Sequence, residues 1–322
     1  MLRSFANALS VLLLFSTIAV PVFGSPVKNH LLSLIPPNMQ IVAGIEDPHN
    51  PESHGRLLLV THNNNLDLAD WIALAGVDPD LSIEKVIEVA TSSSQGELQE
   101  HLLMIDGSFD RELIFRRAIR NGATLAAYKR EELLAIRPFS REAGEMTGTR
   151  WLAILDDRTV LFGSPFLVAK ALDRRTSHSA LDPLLLAHLE QLRPDVNSWD
   201  VLAMPAAVFR RHFAPGHFFP QWAQALDGVD QLILGIHYGA ADRVDFAVHR
   251  SAETGSLAQG FFGNARFQLV SSGKEPPLSV TNSAEERGMT TGSIAISSKV
   301  FDGWLAEISR GRAAAVSSIR PQ

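Results

Sequence analysis

Short runs of alternating apolar and polar residues recur along this chain, separated by stretches whose apolar positions fall three and four residues apart. The first pattern predicts half-buried strands and the second amphipathic helices. In the first half, strands are expected at QIVAGI (40 to 45), EKVIEVAT (84 to 91) and EHLLMIDGSFD (100 to 110). Two more flank Asp156-Asp157 in TRWLAILDDRTVLFGSP (149 to 165). Helices are expected at LDLADWIALAG (66 to 76), RELIFRRAIRNG (111 to 122) and after Ser164-Pro165. In that last case Ser164 can cap the free backbone N–H groups, Pro165 fits the first helical position, and Leu167, Val168, Ala171 and Leu172 share one face.

A similar series follows in the second half. Strands are expected at WDVLAMP (199 to 205), DQLILGIHYG (230 to 239), DRVDFAVHRS (242 to 251) and on both sides of Glu285-Glu286-Arg287-Gly288. Helices are expected at FPQWAQALDG (219 to 228), TGSLAQGFFGNARFQL (254 to 269) and after Ser297 or Ser298, where Val300, Phe301, Trp304, Leu305 and Ile308 form a stripe. The same order of elements twice over predicts two tandem repeats, residues 31 to 178 and 195 to 310. Between them residues 179 to 194 read as an ordered connecting helix, capped by Asp182-Pro183, striped by Leu184, Leu185, His188, Leu189 and Leu192, and ended by Arg193-Pro194. Adjacent strands with helices inserted between them point to α+β, each repeat an antiparallel sheet with helices packed on one face. Asp156 and Asp157 belong at the exposed tip of a hairpin, because neighbours on a strand point to opposite faces and cannot act on one atom. Residues 311 to 322 lack apolar periodicity and read as a disordered tail.

The N-terminus changes the setting of this fold. Arg3, an apolar run from about Ala8 to Val20 and Val22-Phe23-Gly24 make residues 1 to 24 a cleavable signal peptide, so a periplasmic or extracellular protein is expected. No later run is long enough for a transmembrane segment, so none is expected after cleavage. The sequence has no cysteine, which removes disulfides, thiolate nucleophiles and Cys-ligated zinc. A net charge of -6 argues against nucleic acid as a partner. The locally basic stretch from Arg111 to Arg150 lacks interleaved aromatics and reads as a solvated face.

Candidate chemistry is sparse. There is no G-x-S-x-G elbow, Gly-rich phosphate loop or H-E-x-x-H helix. Ser82-Ile83-Glu84-Lys85 matches S-x-x-K, yet it precedes a strand instead of opening a helix, and Asp78-Pro79-Asp80 lacks the Gly and Glu of a calcium loop. His49, His54 and the set His212, His217, His237 and His249 are the residues a metal could use. His62-Asn63-Asn64-Asn65 concentrates donors and acceptors, one of which serves as a helix cap. Trp71, Trp151, Trp222 and Trp304 lie on apolar faces and read as core. No catalytic, cofactor-binding or metal residue is assigned from this scan, and no cofactor is expected.

The segments IPPNMQIVAGI, LMIDGSFDRELIFRRAIRNG and LAILDDRTVLFGSPFLVAKALDRR carry a resemblance to uncharacterised exported bacterial proteins, of the kind found in acidobacteria, built from this α+β unit in tandem. The resemblance spans residues 34 to 175, is looser in the second half, and implies no activity. The expected function is therefore a non-catalytic exported protein that binds or scaffolds a partner, either an envelope protein or a small apolar ligand. Two alternatives remain. A carrier of an apolar ligand would line a cavity with Phe213, Phe218, Phe261 and Phe262, and a metal-dependent extracytoplasmic hydrolase would bring His212, His217, His237 and His249 together.

Overall fold

A computed structural model describes residues 30–45, 75–76, 82–94, 98–137, 148–177, 179–193, 195–213, 228–238, 242–250, 279–286 and 289–296. A 3-10 turn, His30–Leu34, precedes β1 (Ile41–Ile45), β2 (Ile83–Ser92) and β3 (Leu98–Gly107). Then come α1 (Arg111–Arg120), β4 (Thr124–Tyr128), β5 (Glu131–Ile136), β6 (Arg150–Ile154), β7 (Thr159–Gly163) and α2 (Pro165–Ser177). α3 (Pro183–Leu189) leads to β8 (Ser198–Ala203), α4 (Ala206–Phe213), β9 (Val229–His237), β10 (Asp242–Arg250), β11 (Ser279–Glu286) and β12 (Met289–Ile296).

All these strands form one mixed-connectivity antiparallel sheet in the order β11-β12-β10-β9-β8-β1-β2-β3-β7-β6-β5-β4. The expectation of separate sheets for the two halves is corrected here: β1 and β8 would each be an edge, and they pair with each other instead, Val42 directly opposite Val201. An unpaired edge leaves a row of N–H and C=O groups open, and this pairing closes both rows at once. Outward from it the order runs β2, β3, β7, β6 on one side and β9, β10, β12, β11 on the other.

Trp199 fixes the join. It is fully buried on β8 and stands between Gly44 of β1 and Gly235 of β9 in the pairing register. A Cβ at Gly44 would collide with the indole, and one at Gly235 would come within 2.7 Å of Val196 Cγ1. The glycines therefore leave the room that the large side chain and the segment ahead of β8 need.

Caps and turns follow the local sequence. Asp110 Oδ1 accepts from Leu113 N (2.9 Å) at the start of α1, and Ser164 Oγ accepts from Leu167 N (3.4 Å) at the start of α2. Asp182 Oδ1 accepts from Leu184 N (2.9 Å), so α3 begins as expected, but Leu184 itself is exposed and outside the stripe. The aspartate pair does sit on the exposed tip between β6 and β7: Asp156 Oδ1 accepts from Arg158 N (3.0 Å) and Thr159 N (2.8 Å). Phe109 N donates to Asp157 O (2.8 Å), tying that tip to the end of β3.

Two further expectations change. The strands β4 and β5 occupy a stretch without a predicted hairpin, turning at Lys129, whose φ of 55° is left-handed. Helices also contribute to both faces of the sheet in the first half. Leu167, Val168, Ala171 and Leu172 of α2 share a core cluster with Leu102 and Met104, whereas Ile114 and Ala118 of α1 share another with Leu103 and Ile105. The cause is β3 itself, whose alternate residues are apolar in both directions, so each face needs cover. The segment read as a signal peptide, the predicted helices at 219–228 (apart from Gly228), 254–269 and beyond Ser297, and the tail lie outside the described residues. So does the helix at 66–76 apart from Ala75 and Gly76.

Replacing Gly44 by Ala is expected to cost about 1–3 kcal/mol of stability, because the indole of Trp199 has no space to yield. Urea unfolding followed by circular dichroism checks this; an unchanged midpoint would show that Trp199 does not hold the join.

Candidate functional site

The segment between α3 and β8 is laid on the sheet by local bonds. Asn197 N donates to Ile236 O (2.8 Å), Tyr238 N donates to Asn197 Oδ1 (2.8 Å), and His237 Nδ1 lies 2.6 Å from Asp195 O. Leu192 and Val196 then descend over Gly235. Beside them a cavity of about 420 Å³ opens, lined by Gln191, Leu192 and Arg193 from the segment after α3 and by Ile233, Asp245, Ala247, Thr291 and Ser293 from β9, β10 and β12. These strand residues share a face by register: Ala247 stands opposite Ile233 and Thr291, and Asp245 opposite Gly235 and Ser293. The volume is in the range of small-molecule sites, and the lining mixes apolar and polar residues.

The charges beside this cavity are mostly committed to one another. Arg243 donates through Nε to Asp245 Oδ2 (3.0 Å) and through Nη2 to Asp195 Oδ1 (2.7 Å). Burial works against the Arg243 charge, but those two carboxylates outweigh it and hold the guanidinium more firmly protonated than usual. For Asp195 burial likewise favours the neutral acid, and the bond from Arg243 outweighs it, so the carboxyl stays below the ordinary range. Ser293 Oγ also donates to Asp245 Oδ1. Arg193 is less engaged: its Nε is 3.7 Å from Asp245 Oδ2, longer than a hydrogen bond, and its side chain is 54% exposed.

A second polar group sits on the opposite face, at the centre of the sheet. Register places Asp200 of β8 and Glu88 of β2 on either side of Ala43. Buried His101 of β3 lies 2.7 Å from Glu88 Oε1 through Nε2. Desolvation first, and the Glu88 charge second, push the Asp200 carboxyl up to about 6. Asp200 is thereby the group of the join that titrates near neutral pH.

Several sequence candidates are dispersed by the fold. His237 pairs with Arg243 and His249 with Gln231, so the two histidines lie six residues, about 20 Å, apart along neighbouring strands. His249 Nδ1 is instead 2.7 Å from Asp230 Oδ1. The four-histidine convergence is therefore not formed, and no group of three or more metal-ligating side chains occurs among the described residues. His217, His49, His54, His62 to Asn65, Asp78 to Asp80, Phe218, Phe261 and Phe262 lie outside the described residues, as do Trp71, Trp222 and Trp304. His212 and Phe213 belong to α4, but their side chains are outside the description. Trp151 packs half-buried against the core, its ring 6.0 Å from that of Tyr128. Ser82 immediately precedes β2, and its carbonyl accepts from Ser108 N (2.8 Å), a structural use. Among the described residues no helix is long and apolar enough to cross a membrane. Sequence reasoning missed the cavity, Trp199, Arg193 and Asp245; the one available signal was a buried-strand Asp in an otherwise apolar alternation.

No protein-family model, curated protein or solved structure matches this chain.

The Asp200 shift has a definite sign. Its folded value lies above that of an unfolded Asp, so the native state holds the extra proton between about pH 4 and 6, and stability falls as pH rises through that window before levelling off. Asp200→Asn is expected to remove this slope and leave the protein about 1–3 kcal/mol more stable than the parent at pH 7. Urea midpoints from pH 4 to 8 check it; a parent curve without the fall above pH 4 would contradict the assignment.

Proposed function

We propose that this chain is an exported, non-catalytic binding protein of two tandem α+β units, which takes a small ligand with an apolar body in the cavity between the segment after α3 and strands β9, β10 and β12. The observation that carries the proposal is that cavity, about 420 Å³ of space lined by Ile233, Ala247 and Leu192 together with the polar residues Gln191, Arg193, Asp245, Thr291 and Ser293. A site that buries an apolar body and orients it by a few polar groups is the usual form of a small-molecule pocket. Export is supported by the N-terminal pattern of Arg3, the apolar run and Val22-Phe23-Gly24. The tandem units are supported by the like order of strands on each side of the β1–β8 pair. They are supported also by the matching rows Val42, Val89, Leu102, Gly163 and Val201, Ile233, Ala247, Thr291. A soluble or membrane-associated envelope partner is the alternative occupant of the same role.

Native mass spectrometry of the protein purified from its own host, beside Thr291→Trp, tests this. Thr291 is exposed on the cavity rim, so the indole can fill the space without disturbing the core. The expected result is a bound small-molecule mass on the parent that falls at least about tenfold in occupancy in the variant. An apo mass for the parent, or equal occupancy in both proteins, would contradict the cavity as the binding site.

A further inference from the structure

Resting on that cavity as the binding site, we propose that its ligand carries a single carboxylate, held by Arg193 at the mouth while the apolar body lies on Ile233, Ala247 and Leu192. Arg193 lies in the segment between α3 and β8 and lines the cavity beside Gln191 and Leu192. Among the described residues its ion-pair partner is Asp245, and that carboxylate is already occupied by Arg243 Nε at 3.0 Å and by the Ser293 hydroxyl. At 3.7 Å the Arg193 Nε makes an ion pair with Asp245 but no hydrogen bond, so the forked donors of the guanidinium keep their hydrogen-bonding capacity. A planar fork with free donors at the edge of a partly apolar cavity matches a carboxylate, which accepts two parallel N–H bonds.

The charge balance selects the size of the head group. Arg193 and Arg243 are offset by Asp195 and Asp245, so the site is neutral before ligand enters. A monoanion adds one negative charge against a guanidinium that Asp245 only partly satisfies. Asp245 repels any anion held there, and its repulsion is about twice as large for a phosphate dianion as for a monoanion. A neutral alcohol would accept from the fork through a single uncharged oxygen. Thr291 also lines the cavity from β12 and has a hydroxyl to donate, whereas the Ser293 hydroxyl proton is already given to Asp245.

Octanoate and 1-octanol serve as probes, titrated by calorimetry into the parent, Arg193→Gln, Arg193→Lys and Thr291→Trp. Arg193 is more than half exposed, so its replacement spares the core, and circular dichroism of each variant confirms the fold. Octanoate is expected to bind at least about tenfold more tightly than octanol to the parent, the scale of one charge-assisted bidentate contact. Arg193→Gln should abolish that preference by weakening octanoate alone, and Arg193→Lys, which keeps the charge but not the fork, should restore part of it. Thr291→Trp should weaken both probes. Equal binding of the two probes, or octanoate binding unchanged in Arg193→Gln, would overturn the carboxylate assignment while leaving the cavity as a site. Binding of neither probe, or binding indifferent to Thr291→Trp, would overturn the carboxylate assignment and the cavity reading together.

Discussion

The pairing of β1 with β8 is the constraint on which the rest of the architecture depends. Neither strand is long, five and six residues, and each would be an open edge if the halves stood apart. Their union places Trp199, the largest fully buried side chain among the described residues, between Gly44 and Gly235, in a row where an added side chain at either glycine would displace the indole or Val196. Hydrogen bonding closes the edges, and this packing fixes which residue meets which. A slip of one position would turn every side chain of β8 to the other face and carry Trp199 out of its slot.

That join also sets where polar groups can stand. On one face it brings Asp200 and Glu88 to flank Ala43, with His101 next to Glu88, and burial there raises the Asp200 carboxyl toward neutral pH. On the other face, the chain entering β8 must cross Gly235, and the Asp195–Arg243–Asp245 network holds it there. The cavity lies beside this crossing, so the same segment that completes the sheet also supplies Arg193 and Leu192 to the candidate site. Coupling between the join and the site follows from that shared segment, because a shift of Val196 over Gly235 would move Arg193 with it.

Much of the local structure was legible in the sequence. Period-two alternation identified β1, β2, β3, β6, β7, β8, β9 and β10, and Ser164-Pro165 and Asp182-Pro183 located two helix starts through capping chemistry. The hairpin tip at Asp156-Asp157 followed from the same local bonding preferences. What escaped was long-range. Pairing of β1 with β8 joins residues far apart in sequence, and nothing in either strand's pattern names its neighbour. Strands β4 and β5 escaped because their charged and small residues give weak alternation and their turn uses Lys129 instead of glycine. The cavity escaped for a further reason: it is made by residues from the segment after α3 and from β9, β10 and β12, which come together only once the sheet order is known. The histidines show the converse, since His237 and His249 are close in sequence pattern but stand at opposite ends of paired strands.

The most direct measurement is residue-resolved native-state hydrogen exchange by NMR across Ile41–Ile45 and Ser198–Ala203. A central β1–β8 pair requires that amides along both strands be protected and that they open with a common free energy, close to that of global unfolding. If alternate amides on one side of β1 and of β8 instead exchanged as quickly as those of a free edge, the two halves would not share a sheet and the account would be wrong.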